Sequence, residues 1–184
     1  MKKIFCVIPA WNEEKNIGAV VARVKPLVEE VVVVDDGSRD NTYKEAKKNG
    51  VTVLRHIINR GQGAALETGN QYCLNKGADI IVHFDADGQF LPREIKEVVR
   101  PIQQEEADIV FGSRFLEDRS HIPWKKRRII LPLARVVNKI LIGAKLTDPQ
   151  SGFRAFSASA APRIRIEQDG MAHCSEIIHK AFKN

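Results

Sequence analysis

The sequence has no apolar run near the roughly 18 residues that a membrane-crossing helix needs, and its N-terminal run, Ile4 to Ala10, is short and cut by Pro9. Neither a membrane span nor a secretory leader is expected of this chain. Cysteine is scarce: Cys6, Cys73 and Cys174 are scattered and odd in number. They have no metal-ligand spacing, which argues against a disulfide framework and for a reducing, cytoplasmic setting. His56, His121, His173 and His179 likewise form no ligand spacing, and His83 reads as a packed residue of a strand or a support of the groups beside it, not a ligand. Internal repeats and low-complexity stretches are absent. So are an aromatic-rich strand and a recognition helix, so the net charge of +6, from 29 basic and 23 acidic residues, does not indicate nucleic acid. That charge still points to an anionic partner.

What is present is an ordinary globular composition, 43% hydrophobic and 28% charged over 184 residues, enough for one domain with a proper core. Apolar runs at Ile4–Ile8, Val31–Val34, Val51–Leu54, Ile80–Phe84 and Asp108–Phe111 read as strands, with Pro9 ending the first. Helices are expected between them: from Ile17 to about Val28, Tyr43 to Lys48, Ala64 to Leu74, and along the Ile95, Val98, Val99, Ile102 stripe. This alternation predicts an α/β fold with a mainly parallel sheet sandwiched by helices. After the polar loop Gly112 to Trp124, the basic cluster Lys125 to Arg128 leads an amphipathic helix carrying Ile129, Leu133, Val136, Val137 and Ile140. A turn into a short strand follows around 147–156, and a last helix from Glu176 to Phe182.

The chemistry concentrates at the end of the fourth strand, in Phe84-Asp85-Ala86-Asp87-Gly88-Gln89. Side chains alternate where a strand ends, so Asp85 and Asp87 share one side while Ala86 turns away. Two bare carboxylates so placed repel each other; a divalent cation removes the repulsion and takes the oxygens as ligands. The bland alternative is an Asp-rich turn. Polar motifs also follow strands one and two, and in open parallel sheets ligands bind beyond the carboxyl ends of the strands.

Three blocks, Val7-Ile8-Pro9-Ala10-Trp11-Asn12-Glu13-Glu14, Val33-Val34-Asp35-Asp36-Gly37-Ser38 and the Asp85 loop, resemble in order and spacing glycosyltransferase family 2, whose fold is the three-layer GT-A fold. Gly112-Ser113-Arg114-Phe115 and Asp148-Pro149-Gln150-Ser151-Gly152-Phe153-Arg154 are similar to the polyprenyl-phosphate branch, which includes dolichyl-phosphate mannose synthases. The resemblance implies a nucleotide-sugar and metal half over about 1–112 and an acceptor half over about 113–184. Asp85, Asp87 and Gln89 are then ligands of Mg2+ or Mn2+. Pro9, Trp11, Glu13, Val34, Asp36 and Arg60, with Asp85, Ala86 and Asp87, are implied to bind the nucleotide sugar. For Arg60, in the loop Asn59-Arg60-Gly61-Gln62-Gly63, a packing turn is an equal alternative; Asp35 is expected to cap or support.

Arg114 and Arg127 align with the positions that grip the acceptor phosphate in that branch, and with Asp87 they complete the implied catalytic set. The expected reaction moves a hexose from GDP-mannose or UDP-glucose to a polyprenyl or dolichyl phosphate with inversion. A lipid phosphate is already ionised and needs no general base. Transfer to a saccharide hydroxyl, for which the Gln-x-x-Arg-Trp block is missing, and nucleotide-sugar binding without turnover are the alternatives. Residues 125–142 are expected to touch the cytosolic face of a membrane or to pack on the core, and Glu176 to sit near the acceptor or on a solvated face. Members of the branch are expected to continue with a basic Arg…Gly-x-Ser-Lys block, which this sequence, stopping at Asn184, does not contain.

Overall fold

The computed structural model describes residues 2–113, 148 and 151–183. Arg114, Arg127, the basic cluster and the stripe at 129–142 lie outside the described residues. In chain order the elements are β1 (Ile4–Ala10), α1 (Ile17–Val24), β2 (Glu30–Asp35), α2 (Thr42–Lys48), β3 (Thr52–Arg55), α3 (Gln62–Asn75) and β4 (Ile80–His83). Then come α4 (Ile95–Gln103), β5 (Ile109–Phe111), β6 (Arg154–Ser157) and α5 (His173–Lys183).

The strands form one sheet in the order β3-β2-β1-β4-β6-β5. β1 is parallel to β2 and β4, and β2 to β3, whereas β6 runs antiparallel to both β4 and β5. Alternating side chains feed two cores. Cys6, Ile8 and Ala10 of β1 pack with residues of α1, α2 and α4 on one face. Phe5 and Val7 pack with residues of α3 and α5 on the other, which makes the expected three layers. The α4 stripe holds as read, with Ile95, Val98, Val99 and Ile102 all buried. Each such residue contributes on the order of 2 kcal/mol by leaving water.

Pro9 does not end β1 but lies inside it, opposite Val34. The β1–β4 ladder has already closed at Val7 and His83, with Phe84 N–H donating to the Val7 carbonyl at 3.0 Å, so the side on which Pro9 lacks its donor has no ladder left to lose. The fifth strand, β5, does not adjoin β4: β6 lies between them. Ala155 and Phe156 are fully buried, as befits an inner strand, while the residues of β5 are only half-buried.

Candidate functional site

β1 to β4 are parallel, so the loops after them gather at one edge of the sheet, where the strand order reverses between β1 and β4. The loops after β1 and β2 are tied together by side chains. Asn12 N–H donates to Ser38 Oγ at 2.9 Å, Glu13 N–H to Thr42 Oγ1 at 2.7 Å, and Arg39 N–H to Asn12 Oδ1 at 3.0 Å. Asp35 is wholly buried and holds the turn: its Oδ1 accepts Ser38 N–H at 3.0 Å, and Arg55 Nε lies 3.0 Å from Oδ2. The Arg55 contact is an ion pair and not a hydrogen bond, and Arg55 Nη2 donates to the Ser38 carbonyl at 3.0 Å. Gly37, at φ +70°, lets the chain turn where a side chain would strike the backbone of Ile58 and Asn59.

Asp36 organises the loop after β3. Its carboxylate is 2% exposed and accepts His56 Nδ1–H at 2.6 Å and Arg60 N–H at 2.9 Å on Oδ1, with Gly61 N–H at 2.7 Å on Oδ2. His56 Nε2 in turn lies 2.9 Å from Thr68 Oγ1 on α3. Arg60 thus uses its backbone here, while its side chain reaches Asp169 at 3.4 Å. The result is a cleft of about 890 Å³ lined by Trp11, Asn12, Gly37, Ser38, Arg39, Arg55 and the segment His56 to Asn59. Trp11 stands 54% exposed at this cleft. Pro9 is buried in β1, Glu13 is half-buried in the following loop, and Val34 is fully buried in the core beside α3.

In the Asp85 loop the alternation is as read. Phe84, Ala86 and Phe90 point into the core, Asp85 is half-buried, and Asp87 and Gln89 are exposed. Phe84 and Phe90 pack against Phe153 with ring centroids 5.4 and 5.0 Å away, which anchors the loop. Gly88 turns the chain at φ +73°, and Gln89 N–H donates to Asp87 Oδ1 at 2.9 Å. Asp85 Oδ1 accepts from Gln62 Nε2 at 3.1 Å. Gly152 lies so close that a side chain there would overlap the Asp85 carboxylate. Two carboxylates and the Gln89 amide oxygen are hard donors of the kind Mg2+ and Mn2+ accept, so the set fits such an ion. Among the described residues no cluster of three or more His, Cys, Asp or Glu side chains adds to it.

A buried polar layer lies where the end of β4 meets the start of β6. Arg154, 1% exposed, stands opposite His83 in the β4–β6 register and donates through Nη2 to the Ser151 carbonyl at 2.9 Å. His83 Nε2–H donates to Asn70 Oδ1 at 2.8 Å. Burial, then the charges of Arg154 and His173, hold its pKa well below the ordinary imidazole value, so it is neutral and packed, as read. Glu176 is half-buried, and its carboxylate is engaged within the chain. Its carboxylate accepts Glu167 N–H at 3.0 Å, Gln168 N–H at 2.9 Å and Lys180 Nζ at 2.7 Å. It thereby fixes the segment whose Asp169 carbonyl accepts Gly63 N–H at 2.8 Å at the start of α3. The sequence reading missed Gln62, Gly152 and His56, which act through contacts distant in sequence; the small residues around Gln62 and Gly152 were the available signal.

Known proteins resemble this chain in sequence and fold. The sequence profile described as Glycosyl transferase family 2 matches residues 5–165. A UDP-N-acetylglucosamine–dolichyl-phosphate N-acetylglucosaminyltransferase of Methanococcus voltae is 37% identical over 205 residues, covering 100% of this chain and 81% of that protein. A polyprenol monophosphomannose synthase of Mycolicibacterium smegmatis is 29% identical, covering 96% and 70%. Among solved structures, glucosyl-3-phosphoglycerate synthase of Mycobacterium tuberculosis, in complex with Mn2+, UDP-glucose and phosphoglyceric acid, superposes with a TM-score of 0.68 at 27% identity. That match covers 88% of this chain, which spans 59% of the length of the solved enzyme. With its mostly parallel sheet, its Asp85 loop at the strand-order reversal and a profile match over most of its length, the chain belongs to glycosyltransferase family 2 and has the GT-A fold.

Proposed function

We propose that this chain is an inverting, metal-dependent glycosyltransferase that moves a sugar from a uridine diphosphate sugar to a polyprenyl phosphate. The observation that carries this reading is one short loop. From His56 to Asn59 it lines a nucleotide-sized cleft, and three residues later, at Gln62, it touches Asp85. That proximity supports a nucleoside and the diphosphate-metal end of a donor lying side by side. The M. voltae relative has UDP in its name and the M. tuberculosis enzyme was solved with UDP-glucose, which favours uridine over guanosine. The dolichyl and polyprenol names of two relatives favour a lipid phosphate acceptor.

On this reading Trp11 and the segment after β3 face the nucleoside, with Pro9, Glu13 and Val34 supporting the pocket. Asp36 sets the shape of that segment, and Arg60 holds its register through the backbone. Asp85, Asp87 and Gln89 hold Mg2+ or Mn2+. When bound, such an ion neutralises charge on the diphosphate as it leaves. A phosphate oxygen of the acceptor forms the new bond to the anomeric carbon from the face opposite the breaking bond to the diphosphate. Configuration therefore inverts, and no general base is needed. Arg114 and Arg127 grip the acceptor phosphate, for which a guanidinium fork is suited. The basic, amphipathic stretch 125–142 meets the membrane surface that holds the lipid. Among the described residues no helix is long and apolar enough to cross a membrane.

Calorimetry with UDP and GDP, each with Mn2+ and with EDTA, tests the donor side. UDP is expected to bind with Mn2+ at least about tenfold more tightly than with EDTA, a difference of roughly 1.4 kcal/mol, and more tightly than GDP. UDP binding that is absent or indifferent to metal contradicts the site; a preference for GDP contradicts the choice of base.

A further inference from the structure

The loop that joins the two ends of the site does more than line it. Gln62 is the first residue of α3, and its Nε2–H donates to Asp85 Oδ1 at 3.1 Å. The amide orientation is forced, since the opposite one would set a carbonyl oxygen against the carboxylate. An anchored Oδ1, with Gly152 backbone against the same carboxylate, fixes the direction in which Asp85 presents itself. One and two residues before Gln62, the N–H groups of Gly61 and Arg60 are held by Asp36. Gly61 has little room to move: it sits at φ +107°, and a side chain there would strike the Asp169 carbonyl.

We infer that Gln62 is a positioning residue for the metal site, and that the rigid link Asp36–Gly61–Gln62–Asp85 couples nucleotide binding to metal binding. The inference rests on the reading of Asp85 as a metal ligand. Groups that orient a ligand of a metal set its affinity without touching the ion. The segment that lines the cleft runs directly into Gln62, so a nucleoside held there also favours the position of Gln62, and by linkage the metal must tighten the nucleotide by the same factor.

The test uses the full chain with Gln62→Leu, and with Gln62→Met as a second variant close in shape to glutamine. Mn2+ affinity is read by electron paramagnetic resonance with and without saturating UDP, and UDP affinity by calorimetry in EDTA. The substitutions are expected to weaken Mn2+ binding about tenfold, the lower end of what such outer groups contribute. They are also expected to shrink the factor by which Mn2+ and UDP strengthen each other. UDP affinity in EDTA should stay within about twofold, which loss of loop structure would not allow. Unchanged Mn2+ affinity in both variants, or a parallel fall of UDP affinity in EDTA, overturns the inference while leaving the metal site standing. A wild-type chain that binds no Mn2+ overturns the inference and the metal reading together.

Discussion

Asp87→Ala is expected to abolish metal-dependent UDP binding and to slow sugar transfer by about three orders of magnitude, while the thermal unfolding midpoint moves by no more than about 2 °C. The two halves of this result have separate causes. Asp87 is exposed, on the tip of a loop whose hold on the core comes from Phe84, Ala86 and Phe90. Its carboxylate gives the fold a bond from Gln89 N–H at 2.9 Å, and exposed positions of this kind change stability by about 0.5 kcal/mol. On the proposed reading the same carboxylate is one of two in the donor set for the cation. Loss of the ion removes several kcal/mol of charge stabilisation at the leaving diphosphate, at about 1.4 kcal/mol per factor of ten. Calorimetry with Mn2+, a transfer assay and a thermal melt measure the three quantities. Retained metal-dependent binding would remove Asp87 from the site.

Asp36→Ala is the second large effect, and it arrives by another route. The buried carboxylate accepts from His56, Arg60 and Gly61, so alanine leaves three donors without their partner beneath the cleft. Deleting the acceptor of charged hydrogen bonds in a buried site costs about 3 kcal/mol. For a chain of this size that lowers the melting midpoint by roughly 6–12 °C. UDP binding should be lost as well, since His56 to Asn59 line the cleft. Differential scanning fluorimetry and calorimetry on the same sample separate two roles. Lost UDP binding with an unchanged melting midpoint would mean that Asp36 meets the base directly, not through the segment it holds.

Much of the scaffold was legible in the sequence because inner parallel strands are buried on both faces and read as unbroken apolar runs, as Val31 to Val34 do. The Asp85 loop was legible for a related reason: the alternation Phe84, Asp85, Ala86, Asp87 sorts core from surface in a few residues. Pairing between distant segments was not legible. Nothing local in Arg154 to Ser157 says that this strand enters between β4 and β5, and nothing local in Gln62 says that its amide meets a carboxylate 23 residues on. Pro9 misled because its missing donor costs nothing where the neighbouring ladder has ended. Arg60 drew attention through the resemblance of its loop, whereas its backbone N–H is the group bound by Asp36. Gly152 stood inside a quoted motif, but its purpose, room for Asp85, needs the third dimension.

The account stands or falls on the acceptor, and one measurement reaches it directly. The chain is incubated with Mn2+, a radiolabelled UDP-sugar and a polyprenyl phosphate in detergent, and the products are partitioned between organic and aqueous phases. The account predicts label in the organic phase as a sugar-phosphate lipid, dependent on both metal and lipid phosphate, with β configuration from an α-linked donor. Label that remains aqueous, as free sugar or as a glycoside of an added saccharide, would contradict it.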